Sequence, residues 1–260
     1  MFPTLLDLGF LHLRTYGACM AVGFLACWTL AERLSGRRDM GNLFIALMAS
    51  GVVGSRAAYV IEHWRAEFAS RPLDVVRIDQ GGLMFYGGLI LAVAVFFAWC
   101  LARRERPLAL ADLLCTVIPL GHACGRVGCF FYGCCYGRLS ASPLAVTFPM
   151  HSPAWYEQVS AGLIAPTAPR SLAVLPTQLF EAAALLALFA ALLAVYLKRR
   201  RHTAGLYLVG YGVLRFGMEY LRGDPRAAVG PFSISQTISI ATVALGAAFL
   251  AYGKSARHSR

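Results

Sequence analysis

The sequence predicts an all-α integral membrane protein, with seven transmembrane helices around a polar, cationic intramembrane cavity and a small extracytoplasmic loop region. Three observations predict it. The 260 residues are 58% hydrophobic and only 14% charged, whereas a soluble domain carries about 25% charged residues. Apolar runs of about 20 residues, the length that spans a bilayer as a helix, recur along the chain. The basic residues behind the net charge of +11 sit in short clusters between those runs. That pattern reads as membrane topology and attraction to anionic lipid, not as a nucleic-acid surface.

The apolar segments lie near 15–33, 42–62, 83–102, 108–125, 176–197, 204–221 and 233–252. Glycines and polar residues interrupt the fourth and the sixth. The opening stretch MFPTLLDLGFLHLR lacks the basic start and small-residue cleavage site of a signal peptide, and reads as a retained interfacial lead-in. Basic clusters follow segments one, three, five and seven: Arg33, Arg37 and Arg38; Arg103, Arg104 and Arg106; Lys198 with Arg199, Arg200 and Arg201; Lys254, Arg257 and Arg260. They hold more than half of the 24 lysines and arginines. All fall on one side, which the positive-inside rule makes cytoplasmic. The N-terminus is then extracytoplasmic and the C-terminus cytoplasmic. Loops 63–82 and 139–175 face outward. The second contains Pro143, Pro149, Pro153, Pro166 and Pro169 and reads as a cap within a single polytopic domain spanning 1–260.

Four charges remain inside apolar segments: Arg56 in GVVGSRAAYV, Arg126 in HACGRVGCFFYGCCYGR, and Arg215 and Glu219 in GYGVLRFGMEYLR. An arginine at mid-helix costs about 2.5–3.5 kcal/mol on insertion scales, so such residues face a bundle interior or a wet cavity. An i, i+4 pair of Arg215 with Glu219 would account for one. Three arginines against one acid leave a cationic excess, which suggests an anionic ligand, most simply a lipid phosphate. Arg222 lies one turn beyond Glu219 and would extend the stripe. Gln178 and Glu181 in LPTQLFE share a helical face, either as a helix-start cap with interhelical hydrogen bonds or as part of the site. The glycines of GGLMFYGGL at 81–89, and Gly121, Gly125, Gly128, Gly133 and Gly137, permit close helix approach or broken backbone along a cavity.

Of the eight cysteines, Cys19, Cys27, Cys100 and Cys115 are scattered on apolar segments and read as small hydrophobes. Cys124, Cys129, Cys134 and Cys135 are clustered. Their x₄ spacing meets only the edge of the zinc-pair range, and no metal is expected. A bridge from Cys129 to Cys134 or Cys135, and unpaired thiols along a polar turn, both remain open.

GRVGCFFYGCCYGR, together with YGACMAVGF, GVVGSRAAYV, GGLMFYGGLI, PTQLFE, GYGVLRFGMEYLR and SISQTISI in that order, resembles the prolipoprotein diacylglyceryl transferase family. The resemblance covers most of the chain. It implies a multi-pass enzyme of the bacterial plasma membrane, among membrane lipids. Such an enzyme moves a diacylglyceryl group from phosphatidylglycerol to the lipobox cysteine thiol in preprolipoprotein signal peptides, and glycerol phosphate leaves. It implies no cofactor. By position, Arg126 matches the signature arginine and Arg215 a second arginine acting on phosphate. Tyr16, Gln178, Glu181, Glu219 and Arg222 match further polar positions, and Arg56, Gly125, Gly128, Gly133 and Gly137 fall in matching blocks. Tyr86 stands where the family usually has a histidine proposed as a base or substrate ligand, Cys129 where it usually has Asn, Cys134 where it usually has Glu, and Leu175 where a histidine often precedes PTQLFE. His122 and His151 lie elsewhere. The chemistry is consistent with these residue types. A thiol must become a thiolate to attack, and guanidinium forks suit a departing phosphate ester. Two other classes use the same residues: an anionic-lipid binding or transport protein, and a membrane thiol-redox protein built on the clustered cysteines.

Overall fold

The apolar segments become helices because every backbone polar group in a bilayer must be satisfied within its own segment. The structure, a computed structural model, describes residues 4–7, 12–77, 81–199, 201–224 and 228–258. Its helices are α1 Thr15–Ser35, α2 Met40–His63, α3 Phe85–Arg103, α4 Pro107–Tyr132, the short α5 Pro153–Ser160, α6 Thr177–Arg199, α7 Thr203–Glu219 and α8 Ile234–His258. Six are long and apolar enough to cross a membrane: α1, α2 with the π-helical turn that continues it, α3, α4, α6 and α8. The sixth predicted segment corresponds to α7, whose 17 residues rise about 26 Å at 1.5 Å each, a little under the hydrocarbon thickness. The lead-in holds two antiparallel strands, β1 Thr4–Asp7 and β2 His12–Arg14, and its residues 1–3 and 8–11 lie outside the described residues. So do Arg200, Arg260 and loop residues 78–80.

The chain forms two compact units, one of residues 1–30 with 111–260 and one of residues 31–110. In the second unit α2 and α3 meet along small residues. A Cβ on Gly87 would collide with Ala58 and the Gly54 carbonyl, and one on Gly88 would strike Ser55 and the Gly51 carbonyl. GGLMFYGGL is thus a close-packing seam of the kind that drives helix association in lipid. Arg37 joins two basic loops. It donates from Nε and Nη2 to Asp39 and from Nη1 and Nη2 to Glu105, all at 2.7–2.9 Å. The guanidinium holds the Asp39 and Glu105 carboxyls below their usual range. Ile61, Ile90 and Leu101 are 77%, 71% and 82% exposed, as apolar side chains facing lipid would be.

In the first unit α1 packs on α4 through Gly23, where a Cβ would lie 2.8 Å from Cys124, and through Gly128, where it would lie 3.0 Å from the Tyr16 ring. Helices α7 and α8 approach through Gly205, Gly212 and Gly246. Ala123, Ala182 and Leu185, with Val127, Tyr211 and Leu214, form the core between α4, α6 and α7. The N-terminus of α7 is closed from another helix: Asp112 on α4 accepts from the backbone N–H of His202 at 3.0 Å and of Ala204 at 2.7 Å. An acid there meets both the orphan N–H groups and the positive end of the helix dipole. Residues 139–175 fold as a cap on short antiparallel bridges with α5 inside it. Its core is Tyr136, Phe148, Ala154 and Val174.

Candidate active site

The predicted site residues fall into both units. In the first, α4, α6, α7 and the turn after α4 supply most of them. Arg126 lies six residues before the end of α4 and Arg215 four before the end of α7, or about 9 and 6 Å along the axes. The two ends are tied together. Arg222 bridges Gly137 in antiparallel fashion, Arg138 N–H donates to the Leu221 carbonyl at 3.0 Å, and Gly223 N–H donates to Tyr136 at 3.1 Å. The charges therefore cluster within two turns of the cap rather than at mid-helix.

Each of these arginines has an acid, which corrects the expected cationic excess. Arg126 Nε lies 3.0 Å from Glu181 Oε2, and Glu181 is 1% exposed. Arg215 Nη2 lies 2.7 Å from Glu219 Oε2 and donates to Ser235 Oγ at 3.0 Å. Arg222 grips Asp224 with Nε and Nη2, both at 2.8 Å. Removing one member of a buried pair strands the other charge, so these contacts fix the guanidinium positions. The first two pairs are charge contacts without aligned hydrogen bonds: neither oxygen of Glu181 or of Glu219 has a hydrogen-bond partner among the described residues, nor does Arg215 Nη1. A buried N–H without a partner is costly, and a ligand oxygen would relieve it.

Arg222 is a second correction. Helix α7 ends at Glu219, so Arg222 does not extend its stripe; it belongs to the bridge with Gly137. Arg56 is a third. In the second unit its Nε donates to the Val75 carbonyl, Nη2 to Asp74, and Nη1 to Gly81 and Gly82, and it stacks against Phe68. These carbonyls tie Arg56 to residues 74–75 and 81–82. Tyr86, the second residue of α3, is 47% exposed and packs edge-on to Phe85.

The cysteine-rich turn folds back under α6. Gln178 Nε2 donates to the Cys134 carbonyl at 2.7 Å and Thr177 Oγ1 to the Cys135 carbonyl at 2.9 Å; PTQLFE is thus the clasp of that turn. Gly133 and Cys135 both have positive φ, 85° and 62°. The left-handed region costs a residue with a Cβ roughly 1–2 kcal/mol. All eight cysteines are free. The Sγ atoms of Cys129, Cys134 and Cys135 lie within 4.8 Å of one another, whereas Cys124 is not in the group. Cys135 is held below its ordinary value by hydrogen bonds from Cys129 and Cys134 and then by the charges of Arg222 and Arg126. Hydrogen bonds to Cys129 and Cys135 push Cys134 the other way. Burial pushes the neighbouring Tyr136 phenol up to about 12.

Sequence reasoning missed an aromatic stack beside Arg126. The His122 ring lies 5.4 Å from that of Tyr211, its Nδ1 is 3.4 Å from the Tyr207 hydroxyl, and the two tyrosines stack. The i, i+4 spacing of His122 and Arg126, and of Tyr207 and Tyr211, was the available signal. Tyr16 is near Arg126 and the cysteine turn, and Gly125 faces Met20.

Comparison with known proteins adds one consistent match. The family described as prolipoprotein diacylglyceryl transferase matches residues 3–252. A protein of Clostridium tetani named phosphatidylglycerol–prolipoprotein diacylglyceryl transferase is 30% identical over 258 residues, covering 95% of each chain. Proteins of the same name from Pseudoalteromonas translucida and Photobacterium profundum are 30% and 31% identical, over 95% and 98% of this chain and 91% and 94% of theirs.

Proposed function

The chain belongs to the prolipoprotein diacylglyceryl transferase family, and from that premise we propose how its own residues carry out the transfer. The protein is a membrane transferase that takes a diacylglyceryl group from phosphatidylglycerol and places it on the thiol of a prolipoprotein cysteine. Attack of the lipobox thiolate on the glyceryl carbon breaks the carbon–oxygen bond to phosphate, and glycerol phosphate departs with the bonding pair.

Arginine is suited to that departure. Arg215 keeps one side in its ion pair with Glu219, while Nη1 is a buried donor without a hydrogen-bond partner among the described residues. That unmet donor is the observation that carries the assignment. A phosphate oxygen on Nη1 would gain negative charge as the ester leaves, so the contact strengthens toward the transition state. Arg126, held by Glu181, is the second phosphate ligand. Gln178, Tyr16 and the glycines of the turn shape the pocket, and Arg222 secures its rim. The seventh membrane crossing is α7, held between α6 and α8 despite its shortness. The orientation places the N-terminus and the 139–175 cap outside, where the lipobox cysteine arrives.

The test is transfer of labelled diacylglyceryl to a lipobox peptide by purified variants that still insert. Arg126→Gln and Arg215→Gln should each lose about 100-fold or more, the usual cost of one charge-stabilising donor. Lysine at either position should rescue poorly, because it lacks the planar fork. Near-normal transfer by both glutamine variants overturns the phosphate role.

A further inference from the structure

We propose that Cys129, Cys134 and Cys135 form a three-thiolate site for a soft monovalent metal ion of the Cu(I) type. Cysteine spacing alone does not point to this group, because it is not the x₄ series. It skips Cys124 and joins one residue of α4 to two consecutive residues of the turn beyond it.

Geometry favours an ion over separate thiols. Metal–sulfur bonds of about 2.3 Å set the sulfurs of a trigonal ion roughly 4 Å apart, and the three Sγ atoms already lie within 4.8 Å of one another. Consecutive residues rarely direct their side chains to one point. Here the left-handed conformation of Cys135, after Gly133 in the same region, brings both sulfurs to Cys129. Strain of this kind persists only where the surroundings hold it, and Thr177 and Gln178 hold the carbonyls of these two residues.

The donor set selects the ion. Thiolates favour soft metals. A structural zinc site wants four ligands, but among the described residues no fourth His, Cys, Asp or Glu joins the three. A monovalent ion accepts three. Charge is compatible: each thiol gives its proton to solvent as its sulfur–metal bond forms. Three thiolates around a monovalent cation then carry two negative charges in the field of Arg126 and Arg222, both of which act on Cys135. The ion would pin the turn to α4 and so fix the end of the helix that carries Arg126.

The experiment uses the full chain in detergent, reduced and stripped of metal under anaerobic conditions, titrated with Cu(I) against a chromophoric Cu(I) chelator. One equivalent should bind. X-ray absorption of that complex should show a first shell of three sulfurs and nothing lighter. Cys129→Ser, Cys134→Ser and Cys135→Ser should each weaken binding by more than the about 100-fold that loss of an outer-shell partner can cost. Cys100→Ser and Cys115→Ser should leave it unchanged. The absorption spectrum of the unaltered protein decides the matter even if a serine variant misfolds. A shell with fewer than three sulfurs overturns the site, as does unchanged affinity in the three folded variants. A disulfide within the trio in protein alkylated before lysis, without reductant, overturns it too.

Discussion

At the scale of single residues, the arginines show how a charge becomes usable within a membrane protein. Arg126, Arg215 and Arg222 each rest against a carboxylate, so in the proposed phosphate role their selectivity would come from directed N–H groups more than from net charge. This shifts the question of thiol activation. Balanced pairs exert a weaker field than the lone arginines the sequence suggested, so the approach of the substrate thiol to the guanidiniums matters as much as their charge. Tyr86 belongs to the same question. A phenol is a weak base at neutral pH, and Tyr86 is half-exposed at the start of α3. Tyr86→Phe should therefore keep transfer within about threefold of the parent, well short of the 10²–10⁴ that a general base contributes, and Tyr86→His should be tolerated. Labelled-lipid transfer across pH is the measurement. A Tyr86→Phe variant as inactive as Arg126→Gln, with lipid still bound, would assign the hydroxyl to proton transfer. The burial of Arg126 and Arg215 beside acids was partly legible, because an arginine in an apolar run needs a reason. Their partners were less so. Glu181 sits 55 positions from Arg126, and Asp224 follows a helix end that periodicity placed two residues too late.

At the scale of elements, the cap that Asp112 provides for α7 is the contact most open to test. Helix α7 starts after His202, whose own side chain does not cap it. The first N–H groups are met instead by an acid from a helix 90 positions earlier. Asp112→Ala should cost about 0.5–2 kcal/mol, the range for losing a cap, seen as a lower thermal midpoint of the detergent-solubilised protein. Asp112→Asn should cost less, since its amide oxygen still accepts. Equal midpoints for parent and Asp112→Ala would remove the capping role. Apolar runs showed where α7 is, but no local pattern could show what closes its end, because the closing group lies on another helix. GGLMFYGGL was legible as a packing seam for the opposite reason: absence of a Cβ is a property of the residue itself, and Gly87 and Gly88 meet α2 where the motif predicted close approach. The carbonyl partners of Arg56 were not legible, because they come from a loop about 20 positions away.

At the scale of the whole molecule, hydropathy and charge gave the class of the protein directly, and six helices meet the requirements for crossing a membrane. The seventh, α7, falls short in length while carrying Arg215 and Glu219. Orientation is testable independently of chemistry. In a cysteine-free background, Ser160→Cys, on the exposed end of α5, should react with an impermeant maleimide in intact cells. Arg38→Cys, in the first basic loop, should react only after permeabilisation. The reverse pattern would invert the topology. The fold of residues 139–175 rests on pairings such as Val146 with Val174 that no short-range pattern announces.

The depth of Arg126 and Arg215, within two turns of the cap end of their helices, bears on the supply of substrate. A phospholipid diffuses sideways within its leaflet freely, whereas carrying its charged headgroup through hydrocarbon is expensive. Guanidiniums near one face can meet the phosphates of that leaflet at their resting depth, without lifting them. On the proposed phosphate role, the donor pool would be the phosphatidylglycerol of the cap-side leaflet alone. Any process that changes the lipid asymmetry of the bilayer would change the rate of transfer while leaving the protein untouched.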